Sequence, residues 1–425
     1  MLHRVPHTAL DCCLECRRLA LVLLAVGAIA ACAVAQEKTA DRNWLPAPPF
    51  EIKFLPGWRT EHLAFSIGQN GRSFGGPARW AVGGSLPLIT RPVEQADTLY
   101  LGKSSPGIRL YFRDKRRVFW KLEGDEIWPI AGGDDLGDSL DGPGEFAGFL
   151  GPGVYGGGYF SVAASGHTLF INDNGLLRRL ARRADGSWHV ETVAGRGKRS
   201  GLPEGKEAVL LNEFGRLGKG LAMDPKGNLY LAVGGGLAKA DPAGRVTTVI
   251  TQQKASQDLA AVYAKKWPKS KPRQVNIGSG EGVHLIWHTD GSIYIGGRCW
   301  PDAAKVTPDG TYVPLAGYAP PEATIKDARW GMGDPARYQV HCSFGFAVDP
   351  RGNVLARHEI PSALSRYLRD RVEVLQKDGT WGVGKEFLDL HYVTAIMDRD
   401  GVWRQAGPAG PYPSRTAFVR IRKVE

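Results

Sequence analysis

Between Gly220 and Ile250 the chain reads GLAMDPKGNLYLAVGGGLAKADPAGRVTTVI, three short apolar runs each followed by an Asp-Pro, Lys-Gly, Gly-Gly or Ala-Gly turn signal. The pattern recurs along the chain. Its second run appears as TLYL at 98, TLFI at 168, NLYL at 228, SIYI at 292, NVLA at 353 and GVWR at 401, so Leu99, Leu169, Leu229, Ile293, Val354 and Val402 mark six units spaced 48 to 70 residues apart. A unit this short cannot bury its own apolar faces. Neighbouring units must cover one another, which restricts the chain to a repeat architecture.

The third and fourth runs repeat too, as VFWKLEGDEIWPIAGG, LRRLARRADGSWHVETVAG, LAKADPAGRVTTVI, AAKVTPDGTYVPLAG and VEVLQKDGTWGVG. Each reads as two strands across a short turn. Four short antiparallel strands per unit, six times over, predict an all-β fold, a six-bladed β-propeller of four-stranded antiparallel blades. The content of 55 Gly, 28 Pro and 12 Trp against 4 Met agrees with many turns and few long helices. Unit one is expected to start near 86–90, and IPSALSRYLRD reads as an insertion between the second and third strands of unit five. The sixth unit stops at AFVRIRKVE, without a fourth strand. FEIKFLPG (50–57) is expected to supply it by pairing with 417–424, closing the ring and removing exposed edges.

The segments AGGDDLGDSLDGPGEFAGF (131–149), ETVAGRGKRSGLPEGKEAVLLNEF (191–214), GLAMDPKGNLYLA and the closing IRKV resemble NHL repeats, with D-G-P-G-x-x-A-x-F at 141–149 the most specific match. The resemblance spans 50–425 and departs in unit one, which lacks the Asp-Pro-x-Gly turn, and in unit five. It implies a six-bladed propeller of a secreted bacterial type. It does not imply one activity, because such propellers serve as protein-, glycan- and RNA-binding modules and as lyases.

Residues 1–35 read as a signal peptide: Arg17-Arg18 precede LALVLLAVGAIAACAVA, which ends in Ala33-Val34-Ala35. A run of this length is at the short limit for spanning a bilayer, and no later run approaches it, so no transmembrane segment is expected in the mature chain. Ile29-Ala30-Ala31-Cys32 also resembles a lipobox, which would make a lipoprotein through Cys32. A secreted or periplasmic location follows, with 36–49 as a linker and 50–425 as the propeller. Four of the six cysteines lie in the export segment, leaving Cys299 and Cys342. An oxidising compartment favours a disulfide between them; the competing reading makes Cys299, His341 and Cys342 metal ligands.

The formal charge is +11, with basic clusters RDKRR (113–117), RRLARR (178–183) and KKWPKSKPR (265–273). They favour an anionic small molecule, an acidic glycan or an anionic cell-surface component as partner of a monomer, and export disfavours nucleic acid. Segment 252–280 reads as a short helix with a basic flexible end that either gates the propeller mouth or decorates it.

The loops entering the first strand and those joining the second strand to the third share one end of a propeller channel. Turn alignment puts His284, His341 and His391 at or ahead of the first strands of blades four, five and six. The second-to-third loops add Arg298, Cys299, Trp300 and Asp302, then Arg357, His358 and Glu359, then Arg404, with Asn172, Asp173 and Asn174 from blade two and Tyr392 beside His391. Arginines and imidazoles in one mouth suit an anionic ligand. Three converging imidazoles would also suit a divalent metal, zinc or calcium, and a His or Tyr392 beside Arg suits proton abstraction.

Two resemblances bear on that site. The histidine arrangement is similar in type to that of the zinc-dependent amidating lyase of the NHL family, and EGVHLIWHTDG (281–291) resembles the E-G-P-x-W segment of gluconolactonase-like propellers. The functional classes left open are a ligand-binding propeller, a metal-dependent lyase or lactonase-like hydrolase, and a protein-interaction scaffold. His167 and His189 read as structural, and Trp120, Trp128, Trp188, Trp287 and Trp381 as core between blades. No phosphate loop, G-x-S-x-G elbow, C-x-x-C-H haem site or EF-hand is present.

Overall fold

The hairpin turns share one chemistry. Asp224 Oδ1 accepts from the backbone N–H groups of Lys226 and Asn228, both at 2.9 Å, and Asp349 Oδ1 accepts from Arg351 at 2.9 Å and Asn353 at 2.8 Å. Each turn closes on a glycine in the left-handed region, Gly227 at φ 80° and Gly352 at 81°, where a Cβ would be strained. The Asp-Pro-x-Gly signals therefore become tight reversals between first and second strands.

The computed structural model describes residues 167–277 apart from 206 and 219, together with 58–67, 76–77, 93–95, 98–104, 117–123, 126–132, 139–149, 161–165, 284–296, 303–324, 333–338, 346–349, 351–357, 364–376, 380–382, 395–397, 401–406 and 415–423. It is mostly β, with one α-helix among the described residues. Each sheet has four antiparallel strands in up-and-down order, and four of the sheets carry a short fifth strand.

In chain order, sheet one holds Val93–Gln95, Thr98–Ser104, Arg117–Glu123 and Glu126–Ala131. Sheet two holds Ser161–Ser165, Thr168–Asp173, Leu176–Arg182 and Trp188–Ala194. Sheet three holds Leu221–Met223, Leu229–Val233, Gly236–Ala240 and Arg245–Thr251. Sheet four holds His284–Trp287, Ile293–Gly296, Ala303–Val306 and Tyr312–Ala316, and sheet five Phe346–Val348, Val354–Arg357, Leu364–Tyr367 and Val372–Leu375. Sheet six joins Ala395–Met397, Gly401–Ala406 and Arg415–Lys423 to Trp58–Ile67.

The core lies between sheets. Ala163, Leu177 and Ala194 of sheet two pack with Leu221, Leu231, Val233 and Ala238 of sheet three, and Tyr294, Ala303 and Ala316 of sheet four pack with Phe346, Val354 and Tyr367 of sheet five. First strands of successive sheets adjoin one another from sheet one through sheet six. Each sheet thus has an inner first strand and an outer fourth strand.

Three strand positions differ from the sequence expectation. The partner of Arg415–Lys423 is Trp58–Ile67, in register from Trp58 opposite Lys423 to Ile67 opposite Arg415, rather than 50–57. Pro56 lacks the ladder donor and Gly57 weakens a strand, whereas the ten residues after them contain neither. In sheet five the supposed insertion holds the third strand, Leu364–Tyr367, and VEVL becomes the fourth, because Leu368 and Arg371 close a tight reversal between them. In sheet one the first strand is Val93–Gln95, and 86–90 lie outside the described residues.

The helix α1, Gln252–Lys266, starts on Thr251, whose Oγ1 accepts from the Lys254 N–H at 3.1 Å. Ala255, Leu259 and Tyr263, one turn apart, bury a stripe against Leu285, Ile293 and Tyr312. In sheets one to three, the linker before the sheet lends a two-residue strand (Gly76–Pro77, Gly142–Pro143, Val209–Leu210) to the fourth strand's edge. Before sheet four the linker is α1 instead, and Asp258 Oδ2 takes the Tyr312 N–H at 3.0 Å. The helix covers an outer edge that would otherwise face water or another chain, so α1 lies on the wall of sheet four.

The basic end of the segment is also anchored. Val275 N–H donates to Ser256 Oγ at 3.2 Å, and Val275 and Ile277 are buried. Among the tryptophans, Trp188 and Trp287 pack on the core as expected. Trp128 differs from that expectation, standing 41% exposed on the fourth strand of sheet one. The Trp120 side chain lies outside the described residues. Among the described residues, no helix is long and apolar enough to cross a membrane.

Candidate functional site

Strand register determines which residues share one end of the sheets. His284 opens the first strand of sheet four opposite Gly296, the last residue of the second strand. Phe346 opens sheet five opposite Ala356, so Arg357 is one residue further toward that end, opposite Leu364. Ala395 opens sheet six opposite Arg404. Three sheets in succession therefore bring His284, Arg357 and Arg404 to corresponding ends of an inner pair of strands.

His284 is 7% exposed. The side chains of Arg357 and Arg404 lie outside what is described, as do Arg298, Cys299, Trp300, Asp302, His341, Cys342, His358, Glu359, His391 and Tyr392. Among the described residues no three His, Cys, Asp or Glu side chains are grouped to hold a metal.

Gly296 sets the spacing of sheets four and five at this end. A Cβ there would come within 2.5 Å of the Phe346 ring, so the aromatic lies directly on the glycine backbone. The sequence offers no signal for this contact, because Phe346 lies 50 residues further along the chain.

Blade two's polar triplet has a different role from the expected one. Asn172 Oδ1 accepts from Gly175 N–H at 2.9 Å and its Nδ2 donates to the Gly218 carbonyl, at the approach to sheet three. Asp173 is fully buried and accepts from Ser139 Oγ at 2.8 Å and Arg178 at 3.0 Å. Arg178 also reaches Asp141 at 2.9 Å and the carbonyls of Leu140 and Gly148 at 2.6 and 3.1 Å. Asn172 and Asp173 are thus spent on joining sheet two to the segments beside it. Arg178, read as part of a basic surface cluster, is buried.

The opposite end of sheets four and five is tied by a second polar group. His288 Nε2 donates to the Asp349 carbonyl at 3.1 Å, and Tyr294 OH donates to the Gly352 carbonyl at 3.2 Å. Burial pushes the Asp290 carboxyl up, but hydrogen bonds from Ser292 and His288 outweigh it and hold it below the usual carboxylate value.

No protein-family model and no curated protein matches the chain. It is similar to several solved structures. One is a protein of unknown function from Bacteroides thetaiotaomicron, at 13% identity over 86% of this chain and 76% of that one, with a TM-score of 0.44. Another is a gluconolactonase from Xanthomonas campestris, at 11% identity over 87% and 90%, TM-score 0.39. A streptogramin B lyase matches at 9% identity over 86% and 97%, TM-score 0.37.

Proposed function

We propose that the protein is an exported six-bladed β-propeller of NHL type that binds an anionic small molecule or glycan at the mouth where the first strands begin. The observation that carries this reading is the common register of His284, Arg357 and Arg404 in sheets four to six. The sequence adjoining these strand ends holds Arg298, Trp300, Asp302, His341, His358, Glu359, His391 and Tyr392. Guanidinium and imidazole groups on an inner rim would neutralise a carboxylate, sulfate or phosphate, and Asp302 and Glu359 would accept from its hydroxyls.

Ring closure has its own physical support. The interfaces between successive sheets from one to five bury apolar side chains, so an open row would leave one face of sheet one uncovered. The pairing of Trp58–Ile67 with Arg415–Lys423 brings the two ends of the propeller region into one sheet. This favours a closed monomer. Residues 1–35 would direct export, with Cys32 as the lipid acceptor if the lipobox is used.

Thermal melting against glucuronate, galacturonate and sialate, each beside its neutral analogue, tests the reading. Charged ligands should raise the melting temperature, and Arg357→Gln should abolish the rise. Elemental analysis separates binding from metal-assisted lyase or lactonase chemistry: stoichiometric zinc or calcium, lost on His341→Ala, would replace the binding-only reading.

A further inference from the structure

The segment Lys265 to Arg273, KKWPKSKPR, carries five cations and no carboxylate. Lys265 and Lys266 lie in the last turn of α1, where cations complement the helix C-terminus. Lys269 and Lys271 lie beyond it and need another explanation.

Their geometry is ordered. Trp267 N–H donates to the Tyr263 carbonyl at 2.7 Å and Ser270 N–H to the Trp267 carbonyl at 2.9 Å, while Ser270 Oγ is held by Glu322. Lys269, Lys271 and Arg273 are exposed, with Ser270 and Pro272 half-buried between them. Lys269 lies in the turn that the Ser270 N–H closes, and Lys271 follows it directly after Ser270. The result is a cluster of exposed cations on a pinned strip of wall. Lys266 is matched by Asp334 and lies over the Trp267 and Tyr318 rings at 5.1 and 5.4 Å. Among the described residues, Lys265, Lys269 and Lys271 have no ion pair.

We propose that this strip is a second binding surface, for an anionic polysaccharide, on the outer wall and separate from the mouth. A floppy tail would spread such charges apart. Here the fold holds like charges close together, an arrangement that a polymer of carboxylates or sulfates relieves. Lysine ammonium groups act as point charges suited to such a polymer rather than to planar two-point recognition. Single-stranded nucleic acid fits less well, because it needs an aromatic platform. Trp267 is not one: its ring is in edge contact with Tyr263 at 5.1 Å and Tyr318 at 5.7 Å, beneath Lys266.

Binding of oligogalacturonate to the full mature chain, followed by calorimetry at low and physiological salt, tests the surface. The variant Lys265→Gln/Lys269→Gln/Lys271→Gln, with unchanged circular dichroism and melting temperature, should bind about tenfold more weakly and with a salt slope shallower by about 2. The triple lysine variant should keep the wild-type affinity for monomeric galacturonate, which keeps this test separate from the mouth reading. Undiminished affinity of the triple lysine variant, absence of polymer binding by the wild type, or tighter binding of an oligothymidylate of equal charge would overturn the proposal.

Discussion

Arg178 lies 3.0 Å from the Asp173 carboxylate, and neither side chain is exposed to solvent. The corresponding positions of sheet three, in the same hairpin register, are Val233 and Ala238. Removing one buried charge leaves the other uncompensated, at a cost of about 3 to 5 kcal/mol, whereas an apolar pair of suitable volume is tolerated. Arg178→Met should therefore destabilise the protein by about that amount in urea unfolding, and adding Asp173→Val should recover part of the loss. Additive losses would show that the pair is not coupled.

Much of the fold was legible because short-range chemistry specifies it. Leu99, Leu169, Leu229, Ile293, Val354 and Val402, picked out by the recurring run, all lie on second strands, and the Asp-Pro-x-Gly signals are all reversals. What was not legible depends on partners distant in sequence. Arg178 sits among exposed arginines in RRLARR, and only the linker residues Ser139 to Gly148 folding over it reveal its burial. IPSALSRYLRD reads as an insertion, but pairing with Val354–Arg357 makes its Leu364–Tyr367 a strand. Turn alignment put His284 at the start of a first strand, where it lies, but Arg357 and Arg404, read as loop residues, fall within second strands. The spending of Asn172 and Asp173 on internal bonds was not readable.

Gly296→Ala should drive a methyl group into the Phe346 ring, which an added Cβ would approach to 2.5 Å. Overpacking of this kind costs about 1 to 3 kcal/mol. Denaturant melts should show that loss, partly restored by Phe346→Leu. A neutral Gly296→Ala would mean that the two sheets are not packed through this position.

Burial pushes the phenols of Tyr263 and Tyr294 up to about 12, with nearby carboxylates adding to the effect at Tyr294. A folded-state pKa above the ordinary value of about 10 gives stability that is complete below that pH and is lost as pH rises toward 12. Burial also raises Tyr230 and Tyr318, so ultraviolet titration should show several phenols lagging, Tyr263 and Tyr294 among them, and Tyr263→Phe/Tyr294→Phe should reduce the alkaline loss of stability. Titration of every phenol near its ordinary value would contradict this.

Cys299 and Cys342 should be disulfide-bonded in the exported protein. A bridge closing the loop between them would stabilise the fold by about 3 to 4 kcal/mol in the chain-entropy model. Thiol titration of denatured, unreduced mature protein should find no free thiol from this pair. Two free thiols would reject the bridge and favour the metal-ligand reading of Cys299, His341 and Cys342.

The mouth reading is tested most directly by calorimetric titration of galacturonate into the mature wild type and into Arg357→Gln/Arg404→Gln. Saturable binding by the wild type, at one site per chain, with loss of at least about tenfold in affinity in the double variant, is the predicted result, since each charge-assisted hydrogen bond contributes about 1.5 to 3 kcal/mol. Equal affinity in the two proteins would place the ligand elsewhere and contradict the assignment of the mouth.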